Sequence, residues 1–177
     1  MSDDGQRTGR QDATLRYAGS LRCRPVAGTT ADPGPEGWRF DILQAGAGIV
    51  VTEVAGEIDL RTVGILRKRL SELTDAGFGR IIIDFENVRF CDAAGLGVLV
   101  AAQNRLRAQS QGRTGAPGGG PGGGADKACQ GAISLARVRP AQRRLLHVAG
   151  LEKAFAVYES VPDAIRAQRD PTTAPLG

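Results

Sequence analysis

Short apolar runs along the middle of the chain alternate with segments in which apolar residues recur at helical spacing. Runs at 40–45 and 49–54 flank a turn at 46–48, which predicts a β-hairpin. Three β-branched residues, 81–83, lead into Asp84 and Phe85, where we expect a central strand buried on both faces to end. Further strands are predicted at 132–137 and 155–158.

Four segments have the pattern of amphipathic helices. In the first, one face carries the apolar residues and the other is largely charged: Val63, Leu66, Leu70 and Leu73 against Arg67, Lys68, Arg69 and Glu72. The second, 93–108, follows Asp92, a residue type favoured at the helix N-cap. The third opens at Pro140 and runs to about His147, and the last spans 162–168. Strands alternating with helices after a hairpin predict an α/β fold, a small mixed sheet of about five strands packed with about four helices.

Composition divides the chain into one domain and its low-complexity flanks. Residues 1–38 mix Gly, Pro, Thr, Asp and Arg without periodicity, and we expect a disordered tail there, a domain over 39–168 and a second tail over 169–177. A Gly/Pro-rich insertion, 110–128, includes eight Gly and two Pro within 112–124. Because it lies between a helix and a strand, we interpret it as a loop inside the domain.

The sequence is typical of a protein of a reducing compartment. No apolar run approaches the ~20 residues that span a bilayer, and the first 17 residues have no apolar core of the signal-peptide kind. Cys23, Cys91 and Cys129 are odd in number and widely spaced, which suits neither a disulfide framework nor a zinc site. We therefore expect a cytoplasmic protein that does not engage a membrane.

The net charge of +4 lies wholly after residue 109, where nine basic residues face five acidic ones. Four of the nine are Arg137, Arg139, Arg143 and Arg144, which would suit an anion or nucleic-acid patch. No aromatic residue interleaves with them, however, so we favour a solvated helix face whose arginine stems cover apolar surface. Direct binding to nucleic acid is not expected.

Residues 92–96, Asp-Ala-Ala-Gly-Leu, follow the buried strand and open the second predicted helix. This block resembles the signature of the STAS domain, the fold of bacterial anti-sigma factor antagonists, in which the helix usually opens Asp-Ser-Ser/Thr-Gly-Leu. Gly56-Glu57-Ile58-Asp59 resembles the family's Gly-Glu-Leu-Asp segment, and 139–151 resembles its later Pro-initiated helix followed by Gly-Leu. Three matches in the family's order, spread over 40–167, make the resemblance specific.

The resemblance implies a function in partner binding. In the family, the start of this helix and the neighbouring Glu-Asp loop dock onto an anti-sigma factor that is also a GHKL-type serine kinase. Docking frees a sigma factor, and phosphorylation of the first Ser of the motif ends the docking. The positions of this chain that carry over are Glu57, Asp59, Cys91, Asp92, Ala93, Ala94, Gly95 and Leu96. Ala93 occupies the phosphoacceptor position and lacks a hydroxyl, so we expect a binding protein without the usual switch.

Each of these residues also has a purely structural interpretation. Asp92 can act as an N-cap in addition to contacting a partner, and Glu57 and Asp59 can cap the following helix. Cys91 is either a thiol activated by the helix N-terminus or, as we favour, an inert core residue. We interpret Gly95 as leaving the backbone open to close approach by a partner. His147, the only histidine, is interpreted as a surface or helix-end residue.

Two other functional classes remain open. A STAS domain without its switch can serve as a scaffold or adaptor in a regulatory assembly. An α/β enzyme is disfavoured because the sequence has no Ser-His-Asp set, P-loop or GxGxxG fingerprint. We therefore predict a non-enzymatic protein with no catalytic residues, no metal and no cofactor, either monomeric or a weak dimer.

Overall fold

A computed structural model of the chain describes residues 24–25, 34–35, 37–46, 48–113 and 132–169. The strands are β1 Arg24–Pro25, β2 Arg39–Gly46, β3 Ile49–Ile58, β4 Arg80–Cys91, β5 Ala132–Ala136 and β6 Ala156–Tyr158. The helices of the described part are α1 Val63–Asp75, α2 Ala93–Arg113, α3 Pro140–Val148 and α4 Val161–Arg169. The remaining residues of the two predicted tails and of the predicted insertion lie outside the described part of the chain.

The strands form a single mixed sheet in the order β1-β2-β3-β4-β5-β6. The β1–β2 and β2–β3 pairs are antiparallel, whereas β3 to β6 run parallel. The predicted hairpin and the predicted α/β fold, with β-α alternation after the hairpin, are therefore confirmed. Because β3, β4 and β5 are parallel, their carboxyl ends lie at the same edge of the sheet, and the loops that follow them share that edge.

Strand β4 passes through the centre of the core and is buried on both faces, as predicted. Ile81, Ile83 and Phe85 belong to the larger apolar cluster, together with leucines of α1, α2 and α3. Ile82 points to the opposite face and joins a smaller cluster with Val161 and other residues of α4. The sheet is thus covered on one face by three helices and on the other by α4.

The prediction that β4 ends near Phe85 is wrong, because the strand continues to Cys91. Its second half pairs with the end of β3, where two register shifts each insert one extra residue into β4. Side chains of the β5–α3 region also hold this half in place. Arg139 Nη2 donates to the carbonyl oxygen of Glu86 at 2.8 Å, and Gln142 Nε2 donates to that of Val88 at 2.8 Å.

Three further predictions need correction at their boundaries. Helix α2 continues to Arg113, so residues 110–113 of the predicted insertion are helical. In the predicted N-terminal tail, β1 pairs with β2 and Trp38 is 6% exposed, because its ring stacks on Phe40 with 6.2 Å between centroids. Arg169, assigned to the C-terminal tail, belongs to α4 and donates to the carbonyl oxygen of Ala45 at 2.6 Å.

The polar face of α1 also differs from the prediction. Arg69 was expected on the solvent side, yet its side chain is buried and ion-pairs with Glu72 at 3.1 Å. The aliphatic stem of an arginine can lie along apolar surface while its guanidinium reaches a carboxylate near solvent. Leu66, Leu70 and Leu73 are buried as predicted.

Helix α2 packs against the end of β3 through a position where only glycine fits. A Cβ on Gly95 would lie 2.5 Å from Ile58 Cγ2 and 2.9 Å from Cys91 Sγ. The main chain of the first turn of α2 is therefore in direct contact with strand side chains at Gly95, and any larger residue there would push the helix and the strand apart.

Substituting two glycines of the same helix should have opposite effects on stability. Gly95→Ala should destabilise the protein by about 1–3 kcal/mol, because the added methyl group overpacks against Ile58 and Cys91. Gly97→Ala is the matched control, since a Cβ there meets nothing within 4 Å, and it should stabilise by about 0.5–1 kcal/mol through helix propensity. Urea denaturation of the full chain measures both changes. A stabilising Gly95→Ala would show that α2 does not pack this closely.

Candidate functional site

Three loops meet at the carboxyl edge of the parallel strands. The β3–α1 loop contains Asp59, the β4–α2 junction is Asp92, and the β5–α3 loop contains Arg137. The first two loops are joined directly, because the Asp92 N–H donates to the Ile58 carbonyl oxygen at 3.0 Å. The two sequence blocks predicted to form one surface are therefore adjacent.

Asp92 acts as the N-cap of α2. Its Oδ1 accepts a hydrogen bond from the Gly95 N–H at 2.8 Å, and its carbonyl oxygen accepts one from the Leu96 N–H at 3.1 Å. An N-cap of this kind stabilises a helical protein by ~1 kcal/mol. The structural interpretation of Asp92 is thus confirmed, and partner contact stays a prediction.

Asp59 and Thr62 form a reciprocal pair of hydrogen bonds across the turn before α1. The Thr62 N–H donates to Asp59 Oδ1 at 3.2 Å, and the Asp59 N–H donates to Thr62 Oγ1 at 3.0 Å. Asp59 therefore caps this turn, in the manner of a capping box. The carboxylate of Glu57 makes no such cap and lies 3.6 Å from Arg61 Nη2.

The charge of Asp59 is stabilised locally. Desolvation acts to raise its pKa, but hydrogen bonds from the Arg61 N–H, the Arg61 guanidinium and the Thr62 N–H outweigh it and lower the pKa below the ordinary value of 3.8. A carboxyl whose folded pKa is lowered contributes stability above the unfolded pKa, and the contribution is lost as pH falls through the folded value. Asp59 is therefore charged at neutral pH, and its contribution to the turn is present there.

Three of the predicted partner-binding residues have buried side chains or backbone. Cys91 is 6% exposed, and both Gly95 and Leu96 are buried. The interpretation of Gly95 as open to a partner is wrong, because Ile58 of the same chain fills the space beside it. These residues shape the surface from beneath, whereas Ala93 is exposed and Asp92 and Ala94 are half-buried.

Burial also decides between the two interpretations of Cys91. Desolvation, followed by the nearby Asp92 carboxylate, raises the pKa of the Cys91 thiol to about 12. The thiol is therefore protonated at neutral pH, and the interpretation as an inert core residue is confirmed against an activated thiol.

Sequence reasoning missed two exposed apolar side chains at this edge. Leu60, in the turn after β3, is 79% exposed, and Phe90, near the end of β4, is 51% exposed. Phe90 pairs with Glu57 in the sheet register, while Val88 pairs with Gly56, so Arg89 is the extra residue of a bulge. Two consecutive residues, Arg89 and Phe90, consequently face solvent. Because the sequence predicts that this strand ends at Phe85, it did not indicate that Arg89 and Phe90 belong to the strand and face solvent.

The prediction that Arg137 lies on a solvated helix face is wrong, because this residue lies in the β5–α3 loop and its side chain is largely buried. It adopts a left-handed conformation with φ +54°, and its guanidinium ion-pairs with buried Asp84 and with Glu86. A non-glycine residue in this region is held there by its contacts. The β5–α3 loop is therefore fixed to β4.

The described residues include neither a membrane-spanning helix nor a cluster of metal ligands. No helix there combines the length and apolar character needed to cross a bilayer. No group of three or more His, Cys, Asp or Glu side chains there is arranged to hold a metal ion.

Comparison with known proteins agrees with this architecture. A family described as "Mlab, STAS domain" matches residues 43–114. The anti-sigma-F factor antagonist RsfB of Mycobacterium tuberculosis is 25% identical over 122 residues, covering 69% of this chain and 83% of that protein. The crystal structure of an anti-sigma factor antagonist from Mycobacterium paratuberculosis has a TM-score of 0.59 at 26% identity, covering 77% of this chain and 98% of that chain. The anti-sigma factor antagonist SpoIIAA in its unphosphorylated form has a TM-score of 0.53 at 20% identity, covering 74% and 98%.

The sheet order and helix placement are those of the STAS fold. The matched region, 43–114, contains both the Glu57–Asp59 turn and the Asp92-capped start of α2. The relatives that match the chain are named anti-sigma factor antagonists.

Cys91 should resist alkylation as long as the protein is folded. With a pKa of about 12, only about one thiol in ten thousand is ionised at pH 8, and burial blocks the reagent as well. Peptide-level mass spectrometry after iodoacetamide treatment at pH 8 should find Cys91 unmodified in the native protein and modified in 6 M guanidinium. Rapid native modification would indicate that the α2 start opens frequently.

Proposed function

We propose that this chain is a regulatory protein of the anti-sigma factor antagonist type, which binds an anti-sigma factor and so frees a sigma factor. The names of the relatives support this class of function. The observation that carries the proposal is the juxtaposition of the Glu57–Asp59 turn with the exposed Ala93 at the capped start of α2. A cytoplasmic location is part of the same proposal.

The proposed docking surface consists of Glu57, Asp59, Leu60, Phe90 and Ala93. Leu60 and Phe90 supply apolar area that is not buried in the protein itself, and aromatic residues commonly act as anchors of protein interfaces. Ala93 presents only a methyl group at the first turn of α2, so a partner can approach the helix start closely. The charged Asp59 and Glu57 border this apolar area and would supply orientation rather than most of the affinity.

We further propose that binding is not switched off by phosphorylation at this helix. Phosphoryl transfer to serine needs a hydroxyl, and neither Ala93 nor Ala94 has one. No Ser or Thr lies between Thr74 and Ser110, so no neighbouring hydroxyl replaces them. The proposed partner is an anti-sigma factor of the GHKL serine-kinase type. This chain would keep its ability to bind that partner whether or not the kinase is active.

Adding a charge at the centre of the proposed surface should weaken partner binding. Ala93→Asp places a carboxylate where the interface must lose water, and we expect at least a tenfold rise in Kd. An acid is well tolerated at a helix N-terminus, so the free energy of unfolding should change by less than about 1 kcal/mol. Isothermal titration calorimetry of the full chain measures the Kd for the anti-sigma factor, which is captured from the cytoplasm of the cells that produce this protein.

The matched control for this variant is Ala108→Asp. It adds the same charge at an exposed position of α2, about 22 Å along the helix from Ala93 at 1.5 Å per residue. Its affinity should equal that of the wild type. Equal affinities for all three proteins would place the interface elsewhere on the molecule.

Restoring the hydroxyl should restore the switch. We expect no phosphate on wild-type residues 75–109 after incubation with the captured kinase and ATP, and one phosphate on Ala93→Ser. Intact-mass measurement followed by peptide mapping distinguishes the two. Phosphate on this stretch of the wild type would contradict the loss of the switch.

The same two alanines also favour a second candidate, a scaffold that no longer responds to a kinase. The Ala93→Ser variant separates the candidates. A variant that binds the kinase and yet stays unmodified, or a wild type that retains only other STAS proteins in a pull-down, would favour the scaffold over the antagonist.

A further inference from the structure

The third sequence match, residues 139–151, contributes no side chain to the proposed docking surface. It comprises α3 and the residues on either side of that helix. Its first residues contact the main chain of β4 instead, close to the point where β4 presents Phe90. A role for this segment must therefore be sought in what it does to β4.

The second half of β4 has a strand neighbour on one side only. Strand β5 pairs with β4 from Arg80 to Asp84 and no further. Beyond Asp84, the strand pairs that β4 makes among the described residues are with β3. Main-chain groups on the side without a strand need other hydrogen-bond partners when they are removed from water.

Side chains at the start of α3 take the place of the missing strand. Arg139 Nη2 donates to the Glu86 carbonyl oxygen at 2.8 Å, and Gln142 Nε2 donates to the Val88 carbonyl oxygen at 2.8 Å. The two carbonyl groups are two residues apart, which is the repeat of a β-strand. Both therefore face the same segment, as they would face a neighbouring strand.

Gln142 is held at both ends of its amide group. Its Oε1 accepts a hydrogen bond from the Arg139 N–H at 3.1 Å, while its Nε2 donates to Val88. The residue is 7% exposed, so without this amide the Val88 carbonyl oxygen would lose a donor at a site largely removed from water, which is costly. The amide of Gln142 thus joins the start of α3 to β4.

The residue that Gln142 holds lies directly before the bulge of β4. Val88 pairs with Gly56, and Phe90 pairs with Glu57, so the extra residue follows Val88 at once. Val88 is fully buried, whereas Phe90 is 51% exposed. A bulge disrupts the strand ladder locally, and the direction of Phe90 therefore depends on how firmly Val88 is held.

We propose that Gln142, assisted by Arg139, is a positioning residue for the docking surface: it holds the β4 bulge and so fixes the direction in which Phe90 meets the partner. This inference rests on the proposed function, since Phe90 belongs to the proposed docking surface. Because Gln142 is buried, it acts through Phe90 and not by touching the partner. The third sequence match then supports the surface that the first two form.

Gln103 provides a matched control for Gln142. It is 2% exposed, and its Oε1 accepts a hydrogen bond from the Ile133 N–H at 2.6 Å. It too joins a helix to the main chain of a strand through a buried amide. Ile133 pairs with Ile81, in the first half of β4, so the loss of this bond should not loosen the bulge.

Amide hydrogen exchange of the ¹⁵N-labelled full chain tests the anchoring without any partner. Gln142→Met keeps an unbranched side chain but removes the amide, and it should accelerate exchange at residues 88–90 about tenfold by easing local opening. Arg139→Gln, at an exposed position, should accelerate the same amides by a smaller factor. Gln103→Met should leave them unchanged and accelerate exchange at Ile133. Unchanged exchange at residues 88–90 in both Gln142→Met and Arg139→Gln would overturn the proposal.

Affinity for the captured anti-sigma factor tests whether the anchored bulge matters for docking. Gln142→Met should raise Kd about fivefold, and Gln103→Met by less than about twofold. Phe90→Ala should raise Kd about tenfold, as expected for loss of an aromatic anchor. Adding Gln142→Met to Phe90→Ala should change Kd by less than about twofold, because the side chain to be positioned is already absent. An equal effect of Gln142→Met with and without Phe90, or an equal loss in Gln103→Met, would show a general effect on stability and overturn the proposal.

The two measurements separate this inference from the proposed function. If the wild type and Gln142→Met bind the anti-sigma factor equally well, docking does not depend on the bulge, and the inference is overturned while the antagonist function stands. If the wild type binds no anti-sigma factor, the proposed function itself fails. Hydrogen exchange then still decides whether the start of α3 holds the bulge.

Discussion

The contact between the first turn of α2 and the end of β3 positions everything at the carboxyl edge of the sheet. Gly95 has no Cβ, so the helix backbone rests directly on Ile58, and the Asp92 N–H donates to the Ile58 carbonyl oxygen at 3.0 Å. The Asp92 carboxylate then caps the helix through the Gly95 N–H at 2.8 Å. Strand end, helix start and cap are thus one unit, and Ala93 is presented at its tip.

A second constraint acts along β4, whose second half is irregular. The bulge opposite Gly56 and Glu57 adds Arg89 to the strand, and it turns Arg89 and Phe90 together towards solvent. The conformation of Gly56, φ +99°, lets the segment containing Trp38 lie close against the same bulge. One local irregularity therefore accounts for the exposure of both Arg89 and Phe90.

The third loop of this edge is held by charge rather than by apolar packing. Arg137 ion-pairs with Asp84, whose carboxylate is buried in the middle of the sheet, and with Glu86 at 2.5 Å. Removing one partner of such a pair leaves an uncompensated buried charge, which is far more destabilising than the pair is stabilising. We interpret the pair as a fixed connection between β5 and β4, which keeps the irregular half of β4 in register.

The sequence by itself determined most of the elements, though not β1, together with the α/β class and the Asp92 cap, because these depend on periodicity and on residue preferences within one turn of chain. It also determined that Ala93 and Ala94 carry no hydroxyl. Only the tertiary structure decided that β4 continues to Cys91, that Cys91, Gly95 and Leu96 are buried, and that the guanidinium of Arg89 lies near Gly37. Strand register and helix packing bring together residues that are far apart in the chain. Both depend on how the side chains of the two segments fit each other, and the pattern within one segment does not contain that information.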